Sequence, residues 1–216
     1  MTVVTFLAMN TRSPSRSTAE VRERILAAAL DAFYTNGFHG ASMRDIAATA
    51  GFSVANVYNH YANKADLLVE ILHRASDDQL KAARAAVRRA GDDVPRQWSE
   101  AVAAHARFAA ERPRECLVAN SELRYLEPLD RKRVVGARDA QENLFAGLVA
   151  AGVQEGAFAT PHPEQAVTAT LTMCAGISLW FRPDGPLSPA EVGERYGRFA
   201  LGLVECRTLN REAART

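Results

Sequence analysis

Residues 42–64 read SMRDIAATAGFSVANVYNHYANK, and this stretch restricts the possible folds more than any other part of the chain. Ser42 can cap a short helix, because its side chain can accept a hydrogen bond from a free backbone N–H. Gly51 ends that helix at a position that usually needs a left-handed backbone, and Ser53 can cap a second helix over residues 54–59. Two short helices joined by a few residues that include glycine predict a helix-turn-helix, whose second helix lies in the DNA major groove.

The order of residues here is more specific than the helix pattern. Residues 51–68, GFSVANVYNHYANKADLL, resemble the signature of the TetR/AcrR family of bacterial transcriptional regulators. The matching positions are Tyr58, His60, Asn63, Lys64 and Leu67, and the departures are Phe52, Asn56 and Tyr61. The resemblance covers about residues 18–70, so the rest of the chain needs separate arguments.

The second helix of the motif has an outward side if Val57 points into the protein. Val54 and Ala55 then offer only apolar contacts, for example to thymine methyl groups, whereas Asn59 could hydrogen-bond a base edge or a phosphate. A purely structural role is the alternative for Val54. Arg44, early in the preceding helix, is a further candidate for a base or phosphate contact.

The resemblance also implies roles for residues at the end of the motif. Tyr58, His60 and Lys64 are expected to contact backbone phosphates, and simple packing at a helix end is the alternative for the first two. Lys64 also lies at a helix N-terminus, where backbone N–H groups help to hold a phosphate. The predicted DNA-binding residues are Arg44, Ser53, Val54, Ala55, Asn56, Tyr58, Asn59, His60 and Lys64.

Helical periodicity runs through the chain, and no segment shows the alternation of a β-strand. We therefore predict an all-α protein of nine helices, three in a helix-turn-helix domain and six in a ligand-binding and dimerisation bundle. The predicted units are a flexible arm at 1–17, the helix-turn-helix domain at 18–62, the second domain at 63–208 and a tail at 209–216. The first helix is expected to start at a Ser17–Glu20 capping box and to end near Gly37. Later helices are expected over 63–90, from 95 to a break at Arg112–Pro113, and over 114–126, 129–151, 164–181 and 188–206.

Charge is spread unevenly along the chain. The net charge is only +1, which argues against wholesale binding of a polyanion. Residues 1–64 hold six basic and four acidic side chains, a mild excess that suits a few phosphate contacts. Arg12 and Arg16 stand in a polar arm that could reach the minor groove or phosphates, and a tail without a role is the alternative.

Several classes of protein find no support in the sequence. Cys116, Cys174 and Cys206 lie far apart without CxxC or Cys/His spacing, so neither a zinc site nor a disulfide framework is expected, and a reducing cytoplasm fits. Residues 1–9 make a poor signal peptide, and no apolar run approaches the length of a membrane span. No nucleophile elbow, phosphate-binding loop or metal-ligand pair is present, so neither an enzyme nor a cofactor is expected.

The last two predicted helices carry small residues at close spacing. Gly193 and Gly197 lie on one helix, and Ala169 and Gly176 lie on the other. Small residues let helices approach closely, and the apolar faces here are wide enough for two neighbours. The resemblance implies a homodimer in which each chain contributes these two helices, and a packed monomer core is the alternative. A dimer would also supply the second half-site that one short motif lacks.

Large or polar-tipped side chains of the second domain could line a ligand cavity between helices, the usual site in a bundle. Plain core packing is the alternative for each of them. Segments that include 118–124 and 179–188 are similar to a TetR subgroup that senses CoA thioesters, which implies a ligand whose phosphates or carboxylate Arg124 or Arg182 could meet. The candidates are Trp98, His105, Phe108, Asn120, Arg124, Tyr125, Phe145, Met173 and Trp180.

The sequence as a whole predicts a ligand-responsive regulator, and a repressor is favoured over an activator. We expect it to bind a palindromic operator as a dimer and to be released by a small apolar or acyl-CoA-type ligand. The long helix that starts after Asn63 would link the two activities, because it begins at the DNA module and ends beside the second domain. The rival is a small-molecule-binding bundle, or an all-α enzyme, that retains a vestigial helix-turn-helix.

Overall fold

The computed structural model describes residues 14–207, and all regular structure within that range is helical, as predicted. The helices are α1 (Pro14–Gly40), α2 (Met43–Ala50), α3 (Val54–Tyr58), α4 (Lys64–Ala90), α5 (Val94–Glu111), α6 (Pro113–Ser121), α7 (Pro128–Gln154), α8 (Pro163–Ala175), α9 (Ile177–Trp180) and α10 (Pro189–Leu203). A 3₁₀ turn at Leu123–Tyr125 follows α6. Arg12 and the tail at 209–216 lie outside the described residues, as do the side chains of Arg16 and Ser17.

Side-chain caps begin several helices where the sequence predicted them. Each capping oxygen accepts a hydrogen bond from the backbone N–H three residues later, which satisfies a donor that the first helical turn leaves free. The capping residues are Ser42 for α2, Ser53 for α3, Asn63 for α4 and Ser188 for α10. Gly51 ends α2 with a φ of 74°, a left-handed conformation that residues with a Cβ rarely adopt.

The predicted start of α1 was three residues too late, because the helix begins at Pro14 instead of Ser17. Proline is tolerated there, since the first helical position needs no N–H partner within the helix. The predicted end is confirmed. Gly37 has a φ of 68° and interrupts the helix, so residues 38–40 form a turn that leads to α2.

The single helix predicted over 164–181 is wrong, because the chain breaks at Gly176 into α8 and α9. In an unbroken helix the Ala175 carbonyl would accept from the Leu179 N–H. It accepts instead from the Ser178 hydroxyl at 3.0 Å and lies 3.4 Å from Asn120 Nδ2, while the Leu179 N–H turns to the Gly176 carbonyl at 3.0 Å. Side chains that compete for a backbone carbonyl in this way interrupt a helix.

The helix predicted over 114–126 is also shorter than expected. α6 already begins at Pro113 and ends at Ser121, where the chain tightens into the 3₁₀ turn. Ser121 Oγ lies 2.9 Å from the Leu117 carbonyl and 2.8 Å from the Glu122 carboxylate, so local side-chain bonds replace the next helical turn.

Two hydrophobic clusters organise the described part of the chain. The first lies under the helix-turn-helix and includes Phe33, Ile46 and Val57, together with Val118 of α6 and Val134 of α7. The second domain therefore contributes directly to the core of the DNA module. The other cluster lies among α5, α7, α8 and α10 and is centred on the fully buried Trp98, whose indole N–H donates to the Ala200 carbonyl at 2.9 Å.

Gly193 and Gly197 pack within one chain, so the prediction that they mark a subunit interface is wrong. A Cβ on Gly193 would lie 2.7 Å from the Ala103 carbonyl oxygen, and a Cβ on Gly197 would lie 2.7 Å from the Ser99 carbonyl oxygen. Both glycines are needed because α10 presses directly against the backbone of α5. Between residues 14 and 207, no helix is long and apolar enough to cross a bilayer.

Candidate nucleic-acid interface and ligand cavity

The helix-turn-helix presents one side of α3 to solvent. Val57 is fully buried, as the predicted orientation requires. Of the predicted DNA-binding residues, the exposed ones are Arg44, Ser53, Ala55, Tyr58 and Asn59. Val54, Asn56, His60 and Lys64 are half-buried. Tyr58 is 52% exposed although it is aromatic, which places its ring and hydroxyl within reach of a partner.

Some of these side chains already have a structural task. Ser53 Oγ accepts from the Asn56 N–H at 3.2 Å and so begins α3. Asn56 Oδ1 is buried without a hydrogen-bond partner among the described residues, and Val54 packs partly against the core of the module. The exposed residues without such a structural task are therefore Arg44, Ala55, Tyr58 and Asn59.

Most basic residues of the module hold the motif together. Arg24 of α1 donates to the Ala50 carbonyl at 2.8 Å and lies over the Phe52 ring, so it clamps the turn between α2 and α3. Arg22 of α1 pairs with Glu70 of α4 at 2.5 Å. From the sequence, these arginines entered only the charge balance of residues 1–64. Their structural contacts were not predicted, because the partners are distant in the chain.

Lys64 has a similar task at the start of α4. Its Nζ donates to the carbonyls of Phe38, His39 and Ala41 at 2.6, 3.3 and 3.1 Å, and it lies 4.6 Å from the centre of the Phe38 ring. These bonds occupy all three ammonium hydrogens. The ammonium thus secures the turn between α1 and α2, a task different from the phosphate contact that the resemblance implied.

A cavity of about 240 Å³ lies between α4, α5, α6, α7 and α8. Its lining mixes small apolar side chains with several polar ones. The lining residues are Ala75, Ser76, Gln79, His105, Phe108, Ala109, Cys116, Ala119, Asn120, Arg138, Gln141, Glu142, Leu171, Cys174 and Ala175. Asn120 and Glu142 are exposed, so the cavity opens to solvent on their side.

The structure separates the predicted ligand residues into three groups. His105, Phe108 and Asn120 line the cavity. The core residues are Trp98, Phe145 and Met173, of which the first two are fully buried against one another with ring centres 5.8 Å apart. The surface residues are Arg124, Tyr125 and Trp180. Large side chains of a helical bundle most often fill its core. Helical periodicity alone does not distinguish a side chain that packs in the core from one that lines a cavity.

His105 forms the polar end of the cavity. Gln141 Nε2 lies 2.8 Å from Nδ1, and Gln79 Nε2 lies 3.4 Å from Nε2 of the ring. Burial lowers the pKa of His105 to about 4, because an imidazolium would lose its hydration. A neutral imidazole has one acceptor and one donor nitrogen, so one glutamine NH₂ group can donate to the acceptor, and the other amide serves the ring N–H with its oxygen turned toward the ring. The group presented to a ligand is therefore uncharged.

The sequence analysis missed Arg138, Gln141, Cys116 and Cys174. Arg138 Nη2 donates to the Ala119 carbonyl at 2.6 Å, and burial lowers the pKa of this guanidinium. Burial raises the pKa of each thiol to about 12, so both cysteines stay protonated. A usable signal was present: Arg138, Gln141 and Phe145 follow at helical spacing, which places two polar side chains on a core-facing stripe.

A third feature is an apolar face formed by Leu179 and Trp180 of α9 and Phe199 and Leu203 of α10. Their exposed fractions are 68%, 44%, 57% and 38%. The Trp180 ring stacks on Tyr196 with centres 6.4 Å apart, and Tyr196 contacts Phe199 at 5.8 Å. The predicted ligand residue Trp180 therefore belongs to this surface and not to the cavity.

Comparison with known proteins identifies relatives along most of the chain. The family model "Bacterial regulatory proteins, tetR family" matches residues 25–71, and the model "Tetracyclin repressor-like, C-terminal domain" matches residues 91–204. The HTH-type transcriptional repressor KstR2 of Mycolicibacterium smegmatis is 23% identical over 188 residues, which cover 86% of this chain and 91% of that protein.

Solved structures agree with this assignment. A bacterial regulatory protein of the tetR family from Rhodococcus RHA1 superimposes with a TM-score of 0.80 at 28% identity, covering 87% of this chain and 98% of that one. AibR, solved in complex with isovaleryl coenzyme A and operator DNA, superimposes with a TM-score of 0.71 at 21% identity over 86% of this chain and 99% of that one. The likeness to AibR shows a shared fold.

Proposed function

Because this chain belongs to the tetR family of bacterial regulatory proteins, we propose that it is a repressor that binds a palindromic operator as a homodimer and leaves it when a small apolar or acyl-CoA-type ligand binds. The observation that carries the proposal is the exposed side of α3 above a fully buried Val57. A helix held in this way by one apolar side chain can enter a major groove without disturbing the core beneath it.

The exposed residues have different proposed roles in DNA recognition. Ala55, with Val54 at its edge, offers apolar contact to thymine methyl groups, whereas Asn59 and Arg44 can hydrogen-bond a base edge or a phosphate. Tyr58, which is exposed, and His60, which is half-buried, would contact the phosphate backbone. Lys64 supports this surface from behind by fixing the preceding turn.

A pair of substitutions tests this division. Tyr58→Ala should weaken binding of the dimer to every DNA sequence by about a hundredfold or more, because it removes one hydrogen bond to a charged phosphate, worth about 1.5 kcal/mol or more, in each of the two half-sites. Asn59→Ala should change the preference between half-site sequences. Binding is measured by gel shift on the DNA upstream of the gene, and Tyr34→Ala, an exposed tyrosine 45% accessible on α1, serves as control. If Tyr58→Ala altered sequence preference and Asn59→Ala did not, the two roles would be exchanged.

The dimer is supported by the apolar face of Leu179, Trp180, Phe199 and Leu203. Apolar side chains that remain this exposed in one chain lose water contact when a second copy covers them. Ala169 of α8, one of the small residues predicted for the interface, is also exposed. We place the two-fold axis at this face, so that two copies of α3 present themselves to successive half-sites.

The cavity limits the buried part of the ligand. Its volume of about 240 Å³ is just below the roughly 300–1,000 Å³ of ordinary small-molecule pockets. A short acyl group fits this space, with its carbonyl toward the Gln141 amide, because both ring nitrogens of His105 already face glutamine side chains. A larger remainder would lie outside Asn120 and Glu142. The structure of AibR with isovaleryl coenzyme A supports a ligand of this kind for the fold.

Ligand and DNA must oppose one another by the same factor, because coupling between two binding sites is reciprocal. The test is a thermal-shift series with short acyl-CoAs, repeated in the presence of upstream DNA. An acyl-CoA that stabilises the protein should lower its operator affinity. A ligand that stabilises the protein and leaves its DNA complex unchanged would favour a small-molecule-binding bundle with an inactive motif.

A further inference from the structure

The turn between α1 and α2 is held from two sides. Its carbonyls at Phe38, His39 and Ala41 accept hydrogen bonds from the Lys64 ammonium. Its backbone N–H at Phe38 donates in the opposite direction, to Glu122 Oε2 at 2.8 Å. These two groups come from different parts of the chain. Lys64 belongs to the end of the DNA module, whereas Glu122 directly follows α6 of the second domain, 84 residues after Phe38.

Glu122 is an unusual residue to find at such a junction. Glu122 is only 7% exposed, and burial of a carboxylate is unfavourable unless its oxygens are hydrogen-bonded. Oε2 accepts from the Phe38 N–H, and Oε1 lies 2.8 Å from the Ser121 hydroxyl. A bond from a backbone N–H to an ionised carboxylate is about twice as strong as a neutral one. The contact therefore fixes the turn relative to α6.

Aromatic rings reinforce the same junction. Tyr125, in the 3₁₀ turn after Glu122, stacks on Phe38 with ring centres 6.4 Å apart. The Tyr125 ring also meets His39 edge to face at 4.6 Å. The segment that follows α6 thus grips the turn through a hydrogen bond and two ring contacts, and a displacement of α6 along its axis would disturb all three.

The other side of α6 forms a wall of the cavity. Cys116, Ala119 and Asn120 line it, and Asn120 stands two residues before Glu122. Arg138, which also lines the cavity, donates to the Ala119 carbonyl at 2.6 Å. An occupant that pushes on Ala119 or draws Arg138 toward itself must therefore shift the helix that carries Glu122.

We propose that Glu122 is a positioning residue that transmits the displacement of α6 by a cavity occupant to the Phe38 turn and so to the helix-turn-helix. The inference rests on the proposed function. It gives α6 a direct connection to the DNA module, separate from the long helix α4. Release of the Phe38 N–H frees the turn on one side, while Lys64 still holds the other.

The first test needs neither ligand nor operator. Ala109→Leu places extra volume in the cavity from α5, because Ala109 lines it and is 1% exposed. NMR-detected hydrogen exchange of the Phe38 amide should become at least about tenfold faster in this variant, since loss of a bond to a charged group is worth that factor. Unchanged exchange in a folded Ala109→Leu protein would overturn the proposal.

Substitutions at Glu122 test whether its carboxylate protects the Phe38 amide from hydrogen exchange. Glu122→Ala should give fast Phe38 exchange even without the cavity substitution. Glu122→Gln keeps an acceptor oxygen and should restore most of the protection. Glu127→Ala, which removes an exposed carboxylate five residues later, should have no effect. Equal Phe38 protection in Glu122→Ala and the wild type would also overturn the proposal.

Operator affinity then separates transmission from mere stability. Ala109→Leu should weaken operator binding by about fivefold or more in the wild-type background and by less than about twofold in the Glu122→Ala background. An equal loss in both backgrounds would assign transmission to α4 and contradict the role of Glu122. If the wild type bound no upstream DNA, the proposed function would fail. The exchange results would still show whether a change in the cavity reaches the Phe38 turn through α6.

Discussion

His105 illustrates how burial sets the chemistry of a single residue. Its ring lies between two glutamine amides in the cavity wall, and the residue is 6% exposed. In water an imidazole becomes protonated below a pKa of about 6.5, but burial lowers the pKa of His105 to about 4. Folding therefore requires the neutral ring, and the unfolded chain binds one more proton than the folded chain between these two values.

This difference predicts an acid-sensitive stability. The contribution of His105 is complete above the unfolded pKa of about 6.5 and is lost as the pH falls toward 4. Between pH 7 and pH 5 the free energy of unfolding should fall by about 2 kcal/mol more in the wild type than in His105→Gln, which cannot titrate. Urea unfolding at the two pH values measures it. An equal fall in the free energy of unfolding in both proteins would show that His105 is not held neutral.

Single residues also show where sequence reasoning reached its limit. His105, Phe108 and Asn120 were predicted to line a cavity, and the structure places them there. Trp98 lies on the same helix as His105 and Phe108, at helical spacing from them, but fills the core. A periodic pattern gives the inward side of a helix and says nothing about whether the opposing helices leave a gap. That depends on side chains from four other elements.

At the scale of elements, α10 and α5 pack in direct backbone contact in the second domain. Gly193 and Gly197 allow the backbones to touch, because any side chain at either position would meet a carbonyl oxygen of α5 at 2.7 Å. Trp98 then bonds to the Ala200 carbonyl across the same contact. The pair thus forms a rigid platform on which the apolar face is displayed.

Gly193→Ala should lower the free energy of unfolding by about 1–3 kcal/mol, because the added methyl group overpacks the contact between α10 and α5. Gly202→Ala is the matched control on the same helix, where a Cβ would meet nothing within 4 Å. That change should be neutral or stabilising by up to about 1 kcal/mol, since alanine favours a helix. Chemical denaturation at one fixed protein concentration compares them. Equal effects of the two substitutions would contradict the close approach.

Several helix starts were predictable because a local capping side chain sets them. Ser42, Ser53, Asn63 and Ser188 begin helices through bonds within three residues, and each was identified from the sequence. The break at Gly176 was not, because Asn120, 55 residues away, shares the Ala175 carbonyl with the nearby Ser178 hydroxyl. Distant partners of this kind leave no periodic trace in the sequence.

At the scale of the whole molecule, the account requires two copies. One short α3 provides few contacts, and a two-fold dimer adds the second half-site. The exposed apolar face on α9 and α10 shares no residue with the exposed side of α3, so proposed recognition and assembly use different side chains. The residues between them form the cavity and the Glu122 contact.

Phe199→Glu should convert the dimer to a monomer. The side chain is 57% exposed in one chain, and a charge there would have to be buried without a partner when the second copy docks. Leu129→Glu is the control, because Leu129 is 76% exposed on α7 outside the apolar face. Sedimentation velocity gives the mass of each. A Phe199→Glu protein that remained dimeric would move the interface elsewhere.

The most direct test of the central claim is a fluorescence-anisotropy titration of labelled DNA from upstream of the gene. The account predicts a complex of two protomers per palindromic site that survives excess random duplex and weakens steeply between 50 and 200 mM salt. Tyr58→Ala should weaken that complex without changing the stoichiometry. Binding that random duplex competes away as effectively as the upstream DNA itself would contradict the assignment as an operator-binding regulator.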